Sequence, residues 1–257
     1  HPVRRYLEKL VWDGKERIDS VAERILGAEG TKINRTMVRA WFISAIARAM
    51  KPGCKVDTML VLRGKQGAKK SSGLRALVGE EYFTDDPIDF GSKEGMQAIA
   101  ETWLHEIPEL DSMKRSEATM TKAYLSKCVD RFRLPYGREP VTRPRRCVFA
   151  GTTNEDIWGD DSTGARRFWP VRCLRPVDIE GLQRDRELIL AEARELYRAG
   201  EKYWIDESEQ MAAEARKVQA ATQHEHPWAE MVQAYLSNLS DYEKTQGLSH
   251  VSILTDA

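Results

Sequence analysis

The sequence predicts an α/β fold in which a mostly parallel sheet with crossover helices is flanked by helical segments at both ends. Three observations carry this expectation. Short apolar runs alternate with segments of helical periodicity between residues 58 and 173. The first run, Met59-Leu60-Val61-Leu62, is too continuous for a strand with one wet face. It also feeds directly into a glycine-bearing turn and a helix.

Taken in order, the chain opens with a short helix over 2–10. Pro2 suits its first turn, and Val3, Tyr6, Leu7 and Leu10 share one face. Trp12-Asp13-Gly14 ends it. A stronger helix over 35–50, capped near Asn34, carries Val38, Trp41, Phe42, Ala45, Ile46 and Ala49 as a core stripe and stops at Lys51-Pro52-Gly53. The stripe's aromatics read as core rather than as a stacking platform for bases. Strand 58–62 then precedes a helix over 71–78, a helix over 93–100 and a strand at 103–107. A helix near 116–129, a turn-rich arginine segment, and strands at 147–151 and 167–173 complete the alternation. From Asp178 to Gly200 the spacing is helical again. An Ala/Gln-rich helix follows over 207–222, and Trp228, Met231, Val232, Tyr235 and Leu236 mark a last one. These readings divide the chain into a helical segment over 1–55, an α/β core over 56–176 and a helical segment over 177–257.

Composition excludes several classes. No apolar run approaches the ~20 residues that span a bilayer, so no membrane role is expected. Formal net charge is +0, so any case for nucleic acid must rest on local clustering. Cys54, Cys128, Cys147 and Cys173 lack CxxC spacing, which argues against a zinc site or disulfide framework and fits a reducing cytoplasm. His224-Glu225-His226 lacks a nearby third ligand and reads as a solvated linker. The chain begins at His1 in helix-like sequence, and a missing upstream region is expected.

Gly64-Lys65-Gln66-Gly67-Ala68-Lys69-Lys70-Ser71-Ser72 has the pattern of a phosphate loop. Backbone N–H groups of such a turn cradle phosphates; Lys70 would neutralise the β and γ oxygens and Ser71 would offer its hydroxyl to Mg²⁺. The position usually held by a glycine is Lys69. Its Cβ and long side chain crowd the approach of phosphate, so nucleotide binding is expected to survive weakly and turnover to be slow or absent. Such a site also needs an acidic residue at a neighbouring strand's end. Glu106 lies within the apolar strand Trp103–Ile107, with Glu109 and Asp111 at its exit; the alternative is an edge strand with Glu106 in solvent and loop charges beyond it. Strand 147–151 ends in Thr152-Thr153-Asn154, where the amide of Asn154 would orient water or sense a γ-phosphate, unless these are ordinary turn residues. Arg166 and Arg167 follow a glycine turn and would reach a γ-phosphate, in oligomers that of a neighbouring subunit. Arg131, Arg133, Arg138, Arg143, Arg145 and Arg146 crowd one segment around Pro135-Tyr136-Gly137. That segment reads as a protruding basic hairpin for DNA phosphates, or as a solvated loop with internal salt bridges to Asp130 and Glu139.

Together these motifs resemble the virulence-associated protein E family of phages and mobile elements, which is related to superfamily 3 helicases. The pieces are Gly64 to Ser71, Trp103 to Leu110, Asp130 to Tyr136, Gly151 to Glu155 and Thr163 to Val171, with Pro2–Leu7, Trp12–Gly14 and Ala191–Ala193 besides. The resemblance implies an AAA+/superfamily 3-like P-loop NTPase core that uses ATP and Mg²⁺ and assembles as a ring, a hexamer in the full-length protein, around single-stranded or forked DNA. It further implies service in element replication in the bacterial cytoplasm, with another module upstream. By position, Lys70 is the phosphate lysine and Ser71 the Mg²⁺ hydroxyl. Glu106 and Glu109 are acidic candidates, Glu106 also toward Mg²⁺; Asn154 is the sensor and Arg166 or Arg167 the finger. Two other readings stand beside it: a degenerate nucleotide fold that binds DNA or a partner without hydrolysis, and a small-molecule phosphotransferase, for which no lid or acceptor pocket is evident.

Overall fold

The computed structural model describes residues 1–89, 92–133, 139–158, 165–205 and 210–223. The expected helix around 228–236, the 224–226 linker, Arg138 and the Thr163-Gly164 turn lie outside the described residues.

Residues His1–Gln223 form one compact unit. The order is α1 (Pro2–Lys9), α2 (Ile18–Ser20) with a π-helical turn (Val21–Ile25), α3 (Lys32–Met50), β1 (Met59–Arg63), α4 (Lys70–Val78), β2 (Phe83–Thr84), α5 (Lys93–Glu101), β3 (Leu104–Ile107), α6 (Arg115–Leu125), β4 (Val129–Arg133), β5 (Pro140–Pro144), β6 (Val148–Thr153), β7 (Phe168–Arg172), α7 (Ile179–Arg198) and α8 (Gln210–Ala220). A five-stranded sheet has the order β2-β3-β6-β1-β7, and each of its pairings is parallel. The antiparallel pair β4–β5 stands apart as its own two-stranded sheet.

β1 explains why an unbroken apolar run was needed. Successive side chains of a strand point to opposite faces. Accordingly Leu60 and Leu62 join the core formed with α1, α3, α4 and α7, while Met59 and Val61 join the core formed with α5 and α6. Both faces are covered, so no position in the run can be polar. Trp41 and Phe42 of α3 are buried, and the Trp41 indole donates to Phe149 O at 2.9 Å. Trp103 donates to Ala45 O at 3.0 Å. Pro170 is tolerated in β7 because β7 is an edge strand. No described helix is long and apolar enough to cross a membrane.

Three boundaries differ from the sequence reading. α3 starts earlier, because Thr31 accepts from Asn34 N at 3.2 Å and caps it, while Asn34 is buried and donates to Glu29 O. α6 ends at Leu125, leaving Val129 free to open β4. β6 runs on to Thr153, which carries its threonines into the sheet. Too short to show a period, α2 and β2 left no pattern to read.

The N-terminal helices are tied to the rest by one buried carboxylate. Glu192 of α7 accepts from the backbone N–H of Arg17 at 2.7 Å and of Ile18 at 3.1 Å, satisfying donors at the start of α2. Burial pushes its carboxyl above the ordinary range, against the pull of these two donors. A raised carboxyl contributes stability that is present below the ordinary pKa and lost as pH rises through the raised one. Glu192→Ala, which orphans both donors, is expected to lower stability by about 1–3 kcal/mol in chemical denaturation. Glu192→Gln keeps one acceptor without the charge, and should compare more favourably with the parent protein at pH 7 than at pH 4.

Candidate functional site

The cleft lies at the C-terminal edge of the sheet, where ligands sit in open parallel α/β folds. β1 ends at Arg63, and the chain turns through 64–69 into α4. Neighbouring backbone fixes the loop: Gly64 N donates to Thr153 O at 3.2 Å, and Val177 N donates to Ala68 O at 2.9 Å. Gly64 cannot carry a side chain, since a Cβ there would lie 2.6 Å from Cys173 O. Lys69 has φ 56° and ψ 30°, the left-handed conformation that favours glycine. A lysine holds that conformation at a cost of about 1 kcal/mol.

Lys70 opens α4 and is buried, its Nζ donating to Gly64 O at 2.7 Å, Lys65 O at 3.1 Å and Asn154 Oδ1 at 3.0 Å. Burial pushes its ammonium below the ordinary lysine range, although Asp111 and Glu106 pull it upward. The next residue, Ser71, donates to Glu106 Oε1 at 2.6 Å, and Thr152 donates to the same oxygen at 2.6 Å. Glu106 has 0% of its surface exposed, and its Oε2 has no hydrogen-bond partner. Burial pushes its carboxyl up, and the two hydroxyls only partly offset this. The edge-strand alternative is excluded, because β3 lies between β2 and β6.

β6 separates β1 from β3, so its exit falls between the loop and the acidic turn. With strands spaced about 4.8 Å apart, β1 and β3 are separated by about 10 Å. Thr153 donates to Asp111 Oδ1 at 2.6 Å, and Asn154 reaches Lys70. Glu109, in the left-handed region at φ 49°, lines the cleft together with Pro108, Thr152, Thr153, Asn154 and the loop from Gln66 to Ser72. Its volume is about 420 Å³. The structure thus brings Gly67, Ala68, Lys69, Lys70, Ser71, Ser72, Glu109 and Asn154 around one cleft, with Glu106 beneath it. The sequence reading missed the roles of Thr152 and Thr153 as clamps on Glu106 and Asp111. The only available signal was two adjacent hydroxyls at a strand's end.

Arg166 and Arg167 do not enter this cleft. They form a 3-10 turn before Phe168, which pairs with Met59 at the opposite edge of the sheet from Gly64. Arg167 donates to Ser126 Oγ at 3.0 Å.

The basic segment is a hairpin of β4 and β5, and its arginines divide by face. Arg131 and Arg133 alternate outward and are exposed, whereas Asp130 and Phe132 turn inward. Arg143 is also exposed and Arg146 half-buried. Arg145 corrects the expectation of a DNA contact. It is 2% exposed, pairs with Asp130 through Nε at 2.9 Å, donates to Tyr124 O at 2.6 Å and lies 4.3 Å over the Tyr124 ring. An inward Asp130 needs a counter-charge, and Arg145 at the hairpin's root supplies it.

Fold and site define a parallel α/β protein with a loop-and-carboxylate cleft at the C-terminal edge of its sheet. A sequence model of the virulence-associated protein E-like domain matches residues 7–226, and the chain belongs to that family. No curated protein matches. Solved apo structures of the NrS-1 C-terminal region are similar in fold. One has a TM-score of 0.58 at 15% identity, covering 93% of this chain and 64% of that chain. Two others, of the A form, have TM-scores of 0.57 and 0.55 at 15% and 16% identity. The chain therefore spans less than two thirds of those structures.

The division of the arginines has a measurable consequence. Arg145→Ala should lower stability by about 3–5 kcal/mol in chemical denaturation, because it leaves Asp130 buried and unpaired. Arg131→Ala and Arg133→Ala should each change it by less than about 0.5 kcal/mol.

Proposed function

We propose that this chain is an ATP-dependent, DNA-translocating P-loop NTPase module of the superfamily 3 helicase kind, serving replication of a phage or mobile element in the bacterial cytoplasm. The observation that carries the reading is the meeting of Ser71 and Glu106 at 2.6 Å directly beside Lys70 and Asn154. A hydroxyl at the second position of a helix, a buried carboxylate with one unpartnered oxygen, a lysine at the helix start and an amide between them are the groups that phosphoryl transfer requires. The donor set suits Mg²⁺, a hard cation that takes oxygen ligands, and Ser71 and Glu106 would hold it. Bound there, the ion would neutralise charge on the polyphosphate and orient it. The open backbone N–H groups at the start of α4 bind phosphate oxygens, and Lys70 exchanges its loop carbonyls for them. Glu109 at the lip of the cleft accepts a proton from water, and Asn154 orients that water.

Arg166, exposed at the opposite sheet edge, would reach the nucleotide of an adjoining subunit in a ring, and Arg167 would do so by leaving Ser126. Arg131, Arg133 and Arg143 present charge to the DNA backbone without reading its sequence. A second reading, a module that binds nucleotide and DNA without turnover, is favoured by one observation, the strained left-handed lysine at position 69.

ATP hydrolysis with Mg²⁺, with and without single-stranded DNA, tests the choice. DNA-stimulated turnover that Lys70→Ala abolishes is the expected outcome. Lys69→Gly removes about 1 kcal/mol of strain and should raise the rate. Unchanged binding and rate in that variant would remove Lys69 as the cause of slow turnover, and nucleotide binding without turnover in either protein favours the second reading.

The DNA interface is tested separately. Replacing Arg131 and Arg133 by alanine should weaken single-strand binding and reduce the slope of log affinity against log salt by about 0.7 per residue. An unchanged slope would remove the hairpin from the interface.

A further inference from the structure

Resting on the nucleotide-site reading above, we infer that Asp111 is a positioning residue that sets Asn154 against the transferring phosphoryl group. The turn that bears it is held by its own hydrogen bonds. Glu109 reverses the chain at φ 49°, and its carbonyl accepts from Ser112 N at 2.9 Å and Ser112 Oγ at 2.8 Å. Leu110, 1% exposed, packs against β6 where Gly151 leaves room; a Cβ at Gly151 would lie 2.6 Å from Leu110 Cδ1. From this platform Asp111 Oδ1 accepts from both Thr153 Oγ1 at 2.6 Å and Asn154 N at 3.3 Å. The Asn154 side chain in turn accepts from Lys70 Nζ at 3.0 Å. One carboxylate oxygen at the exit of β3 therefore fixes the exit of β6, and through it the amide that meets the phosphate lysine.

Two features argue against Asp111 acting on water itself. The oxygen that faces β6 already accepts two hydrogen bonds. Burial pushes the Asp111 carboxyl up, but the donors from Thr153 and Asn154 and the charge of Lys70 outweigh it and hold the group below the ordinary range, which makes it a weak base. Because both bonds go to one oxygen, asparagine can reproduce them without the charge, whereas alanine cannot.

The test compares binding of Mg·ADP and of Mg·ADP with aluminium fluoride, which mimics the transferring phosphoryl group, by calorimetry. It needs no turnover. The proteins are the parent chain, Asp111→Ala, Asp111→Asn, Asn154→Ala and the double variant Asp111→Ala/Asn154→Ala. The parent should prefer the fluoride complex. In Asp111→Ala and Asn154→Ala the affinity for Mg·ADP should stay within about threefold while the preference falls by at least ~10-fold, the scale on which a displaced transition-state donor is felt. Asp111→Asn should retain the preference within about threefold, and the double variant should be no worse than either single one. The inference is overturned if Asp111→Asn loses as much as Asp111→Ala, since the charge would then be the requirement. It is also overturned if Asp111→Ala keeps the preference, or loses Mg·ADP affinity and thermal stability together. A parent chain that binds Mg·ADP without preference sinks this inference alone. One that binds no nucleotide sinks the nucleotide reading, and the inference with it.

Discussion

The carboxyl of Glu106 lies on β3, between β2 and β6, with no surface exposed, and two hydroxyls bond to one of its oxygens. Burying a carboxyl in such a place costs free energy that its hydrogen bonds must offset. Ser71 must therefore stand at the second position of α4, and Thr152 must face β3 from the end of β6. Those needs fix the loop length between β1 and α4 and the extension of β6 past the point where its apolar run ends. β6 lies between β1 and β3, and that order lets a strand-end hydroxyl and a helix-start hydroxyl meet one carboxylate. The sheet order and the cleft chemistry thus meet at one buried carboxyl.

Much of this was legible in the sequence because it rests on local patterns. The β1 run, the helix that follows it, the polar end of β6 and the helical spacing that begins at Asp178 each announce themselves within a few residues. What stayed hidden depends on distant partners. The solvent-facing edge reading of Glu106 stayed open as the lesser alternative until β2 was found beside β3, and β2 is only two residues long. Arg145 read as one of six similar arginines. A salt bridge to Asp130 stood as the alternative for the segment as a whole, but which arginine makes it depends on a partner fifteen residues away that the alternation of β4 turns inward. Thr31 displaced Asn34 as the cap of α3 because Asn34 was needed elsewhere, at Glu29 O. For Glu106 and Arg145 composition gave the residue type and tertiary pairing decided its use, whereas the choice at Thr31 is local.

The hairpin shows the same division of labour at a surface. Its outward arginines make no ladder of buried contacts, and its inward pair does the anchoring. Arg48, buried in α3, donates to Val56 O at 2.8 Å, and Gly53 N donates to Arg145 O at 2.8 Å, so the root of the hairpin is tied to the helix that spans the sheet. A rigid root with charged faces delivers positive charge at a defined place without ordering its exposed side chains.

Gly151 has a wider reach than its size suggests. Its missing Cβ is filled from two directions, by Leu110 and by Met59, each 2.6 Å from where that carbon would be. Any larger residue at 151 must displace one of them, and Leu110 is the immediate neighbour of Asp111. A change at any one of positions 59, 110 and 151, far apart in the chain, is therefore felt at the others. A family alignment should display them as covarying, even though neither Met59 nor Leu110 takes part in chemistry.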